Sequence, residues 1–223
     1  MYYILLIIAL AITLGSQAYI KSTYSKYSKV KNTSKLTGQE AARKILDNNG
    51  LTNVAVVEVP GTLTDHYDPR KKQVALSTSN YNECTISAIS VAAHECGHAI
   101  QDKENYTFMR IRSSLVPIVN LTSYAGYFAM ILGAILGALN VLYIGIIAEV
   151  AILVFQIVTL PVEFDASRRA LKEAEKHTIL NKNELKQGKT VLTSAALTYV
   201  ASVATAIIEL LRLLIIYGNR RED

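Results

Sequence analysis

The chain has 223 residues, a formal net charge of +5, 51% hydrophobic residues, two cysteines and a mean hydropathy of +0.25. Its apolar residues are gathered into long blocks that the remaining polar surface is too small to cover, which excludes an ordinary water-soluble protein. The positive charge lies beside those blocks, so it needs no nucleic acid to explain it, and Cys84 and Cys96 are too few for a disulfide framework.

The first block, residues 2–20, carries only Gln17 as a strongly polar residue and is long enough for one crossing of a bilayer, which takes about 20 helical residues. Ser16-Gln17-Ala18 has the small residues a signal peptidase reads. No positive charge precedes the block, however, and Lys21, Lys26, Lys29, Lys31 and Lys35 follow it, which favours a retained anchor.

Residues 36–50 predict an amphipathic helix, with Thr37 and Glu40 as a capping box, Gly50 as the stop, and Ala41, Ile45 and Leu46 on one face. A strand is expected over 54–59, ended by Pro60-Gly61. The polar run 62–69 follows. In it Asp68 and Pro69 make an ordinary turn, or His66, with Tyr67 as the other candidate, donates a hydrogen bond to the oxyanion of a substrate carbonyl. A second-sphere or metal-binding role for His66 is also open. Residues 74–78 then predict a strand, either an edge that pairs with extended substrate or one arm of a structural hairpin.

His94-Glu95-Cys96-Gly97-His98 spells H-E-x-x-H inside a helix expected from Ser87 to about Asp102. Four residues apart, His94 and His98 share a helix face and can reach one Zn²⁺, while Glu95 lies beside the metal as a general base for water. Two packed histidines on a membrane-edge helix would be the bland alternative, yet two of the chain's four histidines fall here with the right glutamate. Cys96 lies away from that face and reads as a small buried hydrophobe. Ala88, Ala92, Ala93, Gly97 and Ala99 make the helix slim, so Gly97 reads as a packing feature rather than a break.

The second block, 115–162, is long enough for two crossings, about 116–137 and 141–160, with the turn at Gly137-Ala138-Leu139-Asn140. Gly133 and Gly137 suit close helix contact. Glu149 is its single charge; with no cation in the apolar blocks at that depth, it is either protonated and hydrogen-bonded in the bundle or lines a wet cavity. A catalytic zinc takes three protein ligands and keeps one open position. No third histidine follows at short spacing, and His177 looks solvated. Glu163 sits where the third crossing returns the chain to the metal, and is the leading third ligand. Asp165, two residues on, faces elsewhere on a helix and is the lesser candidate.

The basic segment 163–189 leads to a last crossing, about 190–215, in which Glu209 and Arg212 can pair and are read as marking its end. Lysine-rich flanks on both polar segments put them in the cytoplasm, with both termini and the Asn140 turn outside. The expected protein is mainly α, a four-helix transmembrane bundle with a small cytoplasmic α+β catalytic region. Its parts are helix 1 over 1–20, a cytoplasmic segment with substrate strand and H-E-x-x-H helix over 21–114, and helices 2 and 3 over 115–162. A cytoplasmic segment with the third ligand over 163–189, helix 4 over 190–217 and a tail over 218–223 complete it.

Three runs, 61–69, 91–101 and 160–167, with the arrangement of apolar blocks over nearly the whole chain, resemble the YugP-type neutral zinc metallopeptidases of bacterial membranes. More distantly the chain is similar to the membrane-embedded heat-shock protease and the prenyl-protein (CAAX) endoprotease. Their second motif has a ligand Glu, an aromatic residue, and an Asp four positions after the ligand. Carried onto this chain, the resemblance implies a gluzincin-like site with Glu163 as ligand and Phe164 as the aromatic. Ser167 stands where the Asp that orients a zinc-bound histidine would be, and Asp165 or the Asp65/Asp68 pair is left to supply that carboxylate.

Zn²⁺ is therefore the expected cofactor, His94, His98 and Glu163 the metal ligands, and Glu95 and His66 the catalytic groups. The expected activity is hydrolysis of peptide bonds in membrane or membrane-proximal polypeptides by a multi-pass cell-membrane enzyme whose site faces the cytoplasm. Its partners are the lipid bilayer and a polypeptide substrate, without nucleic acid; a homo-oligomer or a membrane partner is left open. The rival class is a zinc-binding membrane scaffold or regulatory subunit, against which the complete Glu95 argues. A transporter rests only on the crossings and Glu149.

Overall fold

The computed structural model describes residues 2–136 and 139–222. In chain order these form α1 (Tyr2–Tyr27), α2 (Gly38–Asn48), β1 (Ala55–Val59), β2 (His66–Asp68), β3 (Gln73–Ser77), α3 (Thr78–Asn82), α4 (Ile86–Lys103), α5 (Thr107–Leu136), α6 (Leu139–Lys176) and α7 (Lys182–Glu222). The chain divides into two units: one takes residues 1–17, 110–161 and 197–223, the other 18–109 and 162–196.

The first unit holds the apolar parts of the long helices. Among the described residues, Tyr3–Tyr27, Tyr143–Lys176 and Lys182–Asn219 are long and apolar enough to cross a membrane. The most apolar stretch of the first has 0% of its residues buried by protein, and the last only 11%, so lipid is the solvent that fits those faces. Much of the second expected crossing, 116–137, lies outside the described residues, because the side chains of 123–127, 129–131 and 133–136 are not described. α5 nonetheless runs as helix to Leu136 and α6 begins at Leu139, so Leu139 and Asn140 of the expected turn are helical, while Gly137 and Ala138 lie outside the described residues. The small-residue patch of Gly133 and Gly137, read as suited to close helix contact, also lies outside the described residues.

The helices are longer than the apolar blocks. α6 continues through Pro161 to Lys176, and α7 starts eight residues before the apolar run at Thr190 and reaches Glu222. Glu209 and Arg212 form an ion pair on α7 but do not mark its end, which corrects the sequence reading. Nor is Glu149 without a cation: it is buried within electrostatic reach of Glu209 and Arg212. The reason is depth, since Glu149 lies as far from the start of α6 as Arg212 does from the end of α7, and Ile146 and Leu213 pack in one apolar cluster.

The second unit is built around α4. α2 forms as its sequence dictates, with Thr37 accepting from the Glu40 backbone N–H and Glu40 accepting from that of Thr37, a capping box that stabilises a helix by about 1 kcal/mol. Its buried face, Ala41, Ala42, Ile45 and Leu46, packs with Val54, Val74, Leu76 and the apolar residues of α4. The sheet order is β1-β3-β2, with β1 parallel and β2 antiparallel to β3. This corrects the expected edge strand: β3 is central, not an edge. The polar run 62–69, expected to be turn, supplies β2 over 66–68, and Asp65 caps the remaining length by accepting from the Ser77 backbone N–H at 2.7 Å.

α4 is slim for a reason visible in its neighbours. A Cβ on Gly97 would lie 2.5 Å from the Ala166 carbonyl oxygen, so only glycine lets α6 come this close. At Gly188 on α7 a Cβ would stand 2.8 Å from Ser90 Oγ, so that side chain would have to turn away. Ala166, Ala170 and Ala174 are buried on the part of α6 that runs beyond its apolar block.

Candidate metal centre

α4 is capped at Thr85, whose hydroxyl accepts from the Ala88 N–H, and it stays helical through the whole motif. His94 and His98 therefore present their rings side by side, centroids 4.7 Å apart. Glu163 comes from α6 across the contact that Gly97 permits. Its Oε2 lies 3.3 Å from His94 Nε2 and 3.6 Å from His98 Nε2, and the three ligand atoms all lie within 4.8 Å of one another. Ligand bonds of about 2.0–2.1 Å in a tetrahedron place neighbouring donor atoms roughly 3.4 Å apart, so the spacing fits one zinc ion. The donors fit as well: two imidazoles and a carboxylate are a catalytic zinc set, and they leave a position open.

Each histidine is held from behind. His94 Nδ1 lies 3.2 Å from Ser167 Oγ. His98 Nδ1 lies 3.0 Å from Gln101 Oε1. Gln101 is fully buried, and its Nε2 donates to the Val162 carbonyl at 2.8 Å and to Asp165 at 3.0 Å. Both of those partners are acceptors, so the amide cannot be reversed. Its oxygen must accept, His98 Nδ1 must donate, and the lone pair of His98 is left on Nε2, facing Glu163 and the metal position. Asp165 is itself fixed by Arg169 at 2.5 Å and by Arg168.

Glu95 is 7% exposed, and among the described residues its carboxylate has no hydrogen-bond partner from the protein. Burial pushes its carboxyl up, against the opposing pull of His94 and His98. Burial is the largest single influence on the His98 imidazole and lowers it, but the hydrogen bond to Glu163, the charges of Glu163 and Glu95 and the hydrogen bond to Gln101 together outweigh it and leave it raised. Cys96 is buried with its Sγ on the Ala42 carbonyl, and burial pushes its thiol up; it is a core residue.

The structure thus brings together His94, His98 and Glu163, with Glu95 buried next to His94 on the same helix. It does not bring Asp165 into the group, whose carboxylate is turned to Gln101 and the arginines. His66 lies outside the group as well. It is exposed on β2 and its Nδ1 donates to the Thr64 carbonyl at 2.9 Å. Asp68 accepts from the backbone N–H groups of Arg70 and Lys71, the plain turn role. Asp65 accepts from Ser77 and from Asn80. Among the described residues neither acid hydrogen-bonds to His94 or His98. Ser167 takes the place of the missing carboxylate at His94, and Asp165 serves His98 through Gln101.

Gln101 is the residue that sequence reading missed. Its signal was its spacing, three residues after His98 and so on the same helix face, as a polar residue in a small apolar helix. Gln101→Leu is expected to weaken zinc binding by about 10- to 100-fold, read by competition with a chelator, because His98 loses the acceptor that fixes its tautomer. An unchanged affinity would show that the relay does not position His98.

A family described as "Putative neutral zinc metallopeptidase" matches residues 2–218. The chain is 44% identical to a protein of Bacillus subtilis (strain 168) named "Putative membrane protease YugP", over 100% of this chain and 99% of the relative. No solved structure matches. With nearly all its length matched and a His/His/Glu cluster in place, the chain belongs to this family of neutral zinc metallopeptidases.

Proposed function

We propose that the chain is a membrane-embedded zinc endopeptidase that hydrolyses peptide bonds of polypeptides in or beside the bilayer. The observation that carries this reading is the unpartnered, buried Glu95 next to a three-ligand cluster, because a structural zinc has no use for a base. His94, His98 and Glu163 hold the ion, with the His98 lone pair left on Nε2 by Gln101 and His94 Nδ1 within hydrogen-bond reach of Ser167. Bound there, Zn²⁺ supplies Lewis-acid polarisation of the scissile carbonyl and of a water. Glu95 accepts the proton of the attacking water on its carboxylate and passes it to the nitrogen of the leaving amine. One group does both because it lies between the two. His66 is the group read as donating a hydrogen bond to the oxyanion; His66→Ala tests this as a lower kcat with zinc retained.

The substrate class follows from the anchoring of the site. The helix that bears Glu163 is itself apolar enough to span a membrane, which favours membrane proteins and chain segments at the surface over folded soluble ones. Comparison of new protein termini between wild-type cells and a Glu95→Gln strain tests this. Termini lost in the variant should fall within about 20 residues of membrane segments. Loss confined to soluble proteins would contradict it.

Lysine-rich flanks favour the cytoplasmic side for the site. Lys29 and Lys182 are exposed, so single-cysteine variants there, on a cysteine-free background, should resist an impermeant thiol reagent applied to intact cells and react once the membrane is opened. Labelling of both from outside would reverse the orientation.

A further inference from the structure

The metal centre leaves unused a groove between α6 and α7 in the α4-centred unit. Two cavities of about 470 and 340 Å³ adjoin one another there, sharing Leu171 and Lys189. Arg168, Lys172, Lys182, Lys186 and Lys189 line them with one acid, Glu175. Arg168 is partly neutralised by Asp165, but among the described residues the four lysines make no ion pair. The four lysine charges are thus gathered with only Glu175 beside them in the lining, an excess of positive charge that favours an external anion.

Charge is only half of the groove. Leu171 and Leu185 floor the wider cavity, and the narrower one is walled by Phe164, Leu192 and Ala196. Phe164 is 50% exposed, a large ring only half covered by protein. Lys189 stands immediately before the apolar run that begins at Thr190, and Leu192 and Ala196 continue the wall into it. Cations therefore lie at the polar end and an apolar wall runs toward the membrane-spanning part of α7.

We propose that this groove seats an anionic phospholipid, its phosphate among Lys172, Lys186 and Lys189 and the start of an acyl chain along Phe164, Leu192 and Ala196. An acidic peptide would satisfy the lysines but has no counterpart for an apolar wall that enters the bilayer, whereas a phospholipid has both parts in the right order. Basic pockets between membrane helices are suited to such headgroups. Ser167 lines the same groove and contacts His94, so the seat lies directly behind one zinc histidine. The inference rests on the membrane reading and stands apart from the peptidase chemistry.

The test uses the full-length protein in detergent micelles carrying equal dioleoyl phosphatidylglycerol and dioleoyl phosphatidylcholine, with bound lipid read by native mass spectrometry. Wild type should retain phosphatidylglycerol in preference to phosphatidylcholine. Lys186→Gln with Lys189→Gln should cut that preference by about 25-fold, roughly fivefold for each lysine removed. Lys186→Arg with Lys189→Arg should restore it, and Lys21→Gln with Lys26→Gln, an equal charge change in another flank, should leave it intact. Zinc content of each variant reports folding independently. No preference in wild type, or an equal loss in both Gln pairs, overturns the proposal. So does displacement of the lipid by excess inorganic phosphate, which would make the seat one for a free ion, or by an oligoglutamate peptide, which would make it a peptide groove.

Discussion

Replacing Glu95 by Gln is expected to lower turnover by about 10²- to 10⁴-fold while a full equivalent of zinc stays bound. The amide keeps the size of the side chain but cannot take a proton, and Glu95 is not among the three grouped ligands. Burial in this pocket already disfavours its charge, so a neutral amide there should fold without strain. The measurement is peptidase rate beside zinc stoichiometry on the same purified sample. Turnover at the wild-type rate would remove Glu95 from the mechanism, and loss of zinc would make its role structural.

Replacing Glu163 by Gln is expected to weaken zinc binding by more than the roughly 10- to 100-fold that loss of an orienting neighbour brings, and to abolish activity with it. The carboxylate is the only anion among the three donors, and both imidazoles are directed at its Oε2. An uncharged amide removes that anion. Asp165→Asn should retain the metal far better, since Asp165 acts on His98 only through Gln101. Equilibrium dialysis of the two variants separates these roles. Full zinc affinity in Glu163→Gln would return the third-ligand position to Asp165 or His66.

Those residues were legible to different degrees because they depend on different ranges of the chain. His94, Glu95 and His98 follow from one helical turn, so spacing alone places them. Glu163 was reachable because an apolar block long enough for two crossings must bring its end back near its beginning. The capping box at Thr37 and the close approach at Gly97 are local chemistry and stood out in the sequence. Strand order was not legible. Whether β3 lay at an edge depended on the three residues of β2, hidden in a run whose Asp, Thr and Pro read as turn. The extent of α6 and α7 was also hidden, because apolar length marks where lipid begins and helical hydrogen bonding does not stop there. For the same reason Glu149 seemed isolated from Arg212, which lies 63 positions away in sequence and is matched to it in depth.

The central claim is that this chain cleaves peptide bonds with a zinc ion held by His94, His98 and Glu163. The most direct measurement is zinc per chain together with turnover of a membrane-derived peptide, before chelation, after it, and after zinc is returned. The expected result is one equivalent of zinc, turnover lost as the metal leaves, and turnover regained with its return, while Glu95→Gln regains the zinc alone. A chain that keeps its zinc and cleaves nothing, or one that still cleaves after the metal is fully removed, would contradict the account.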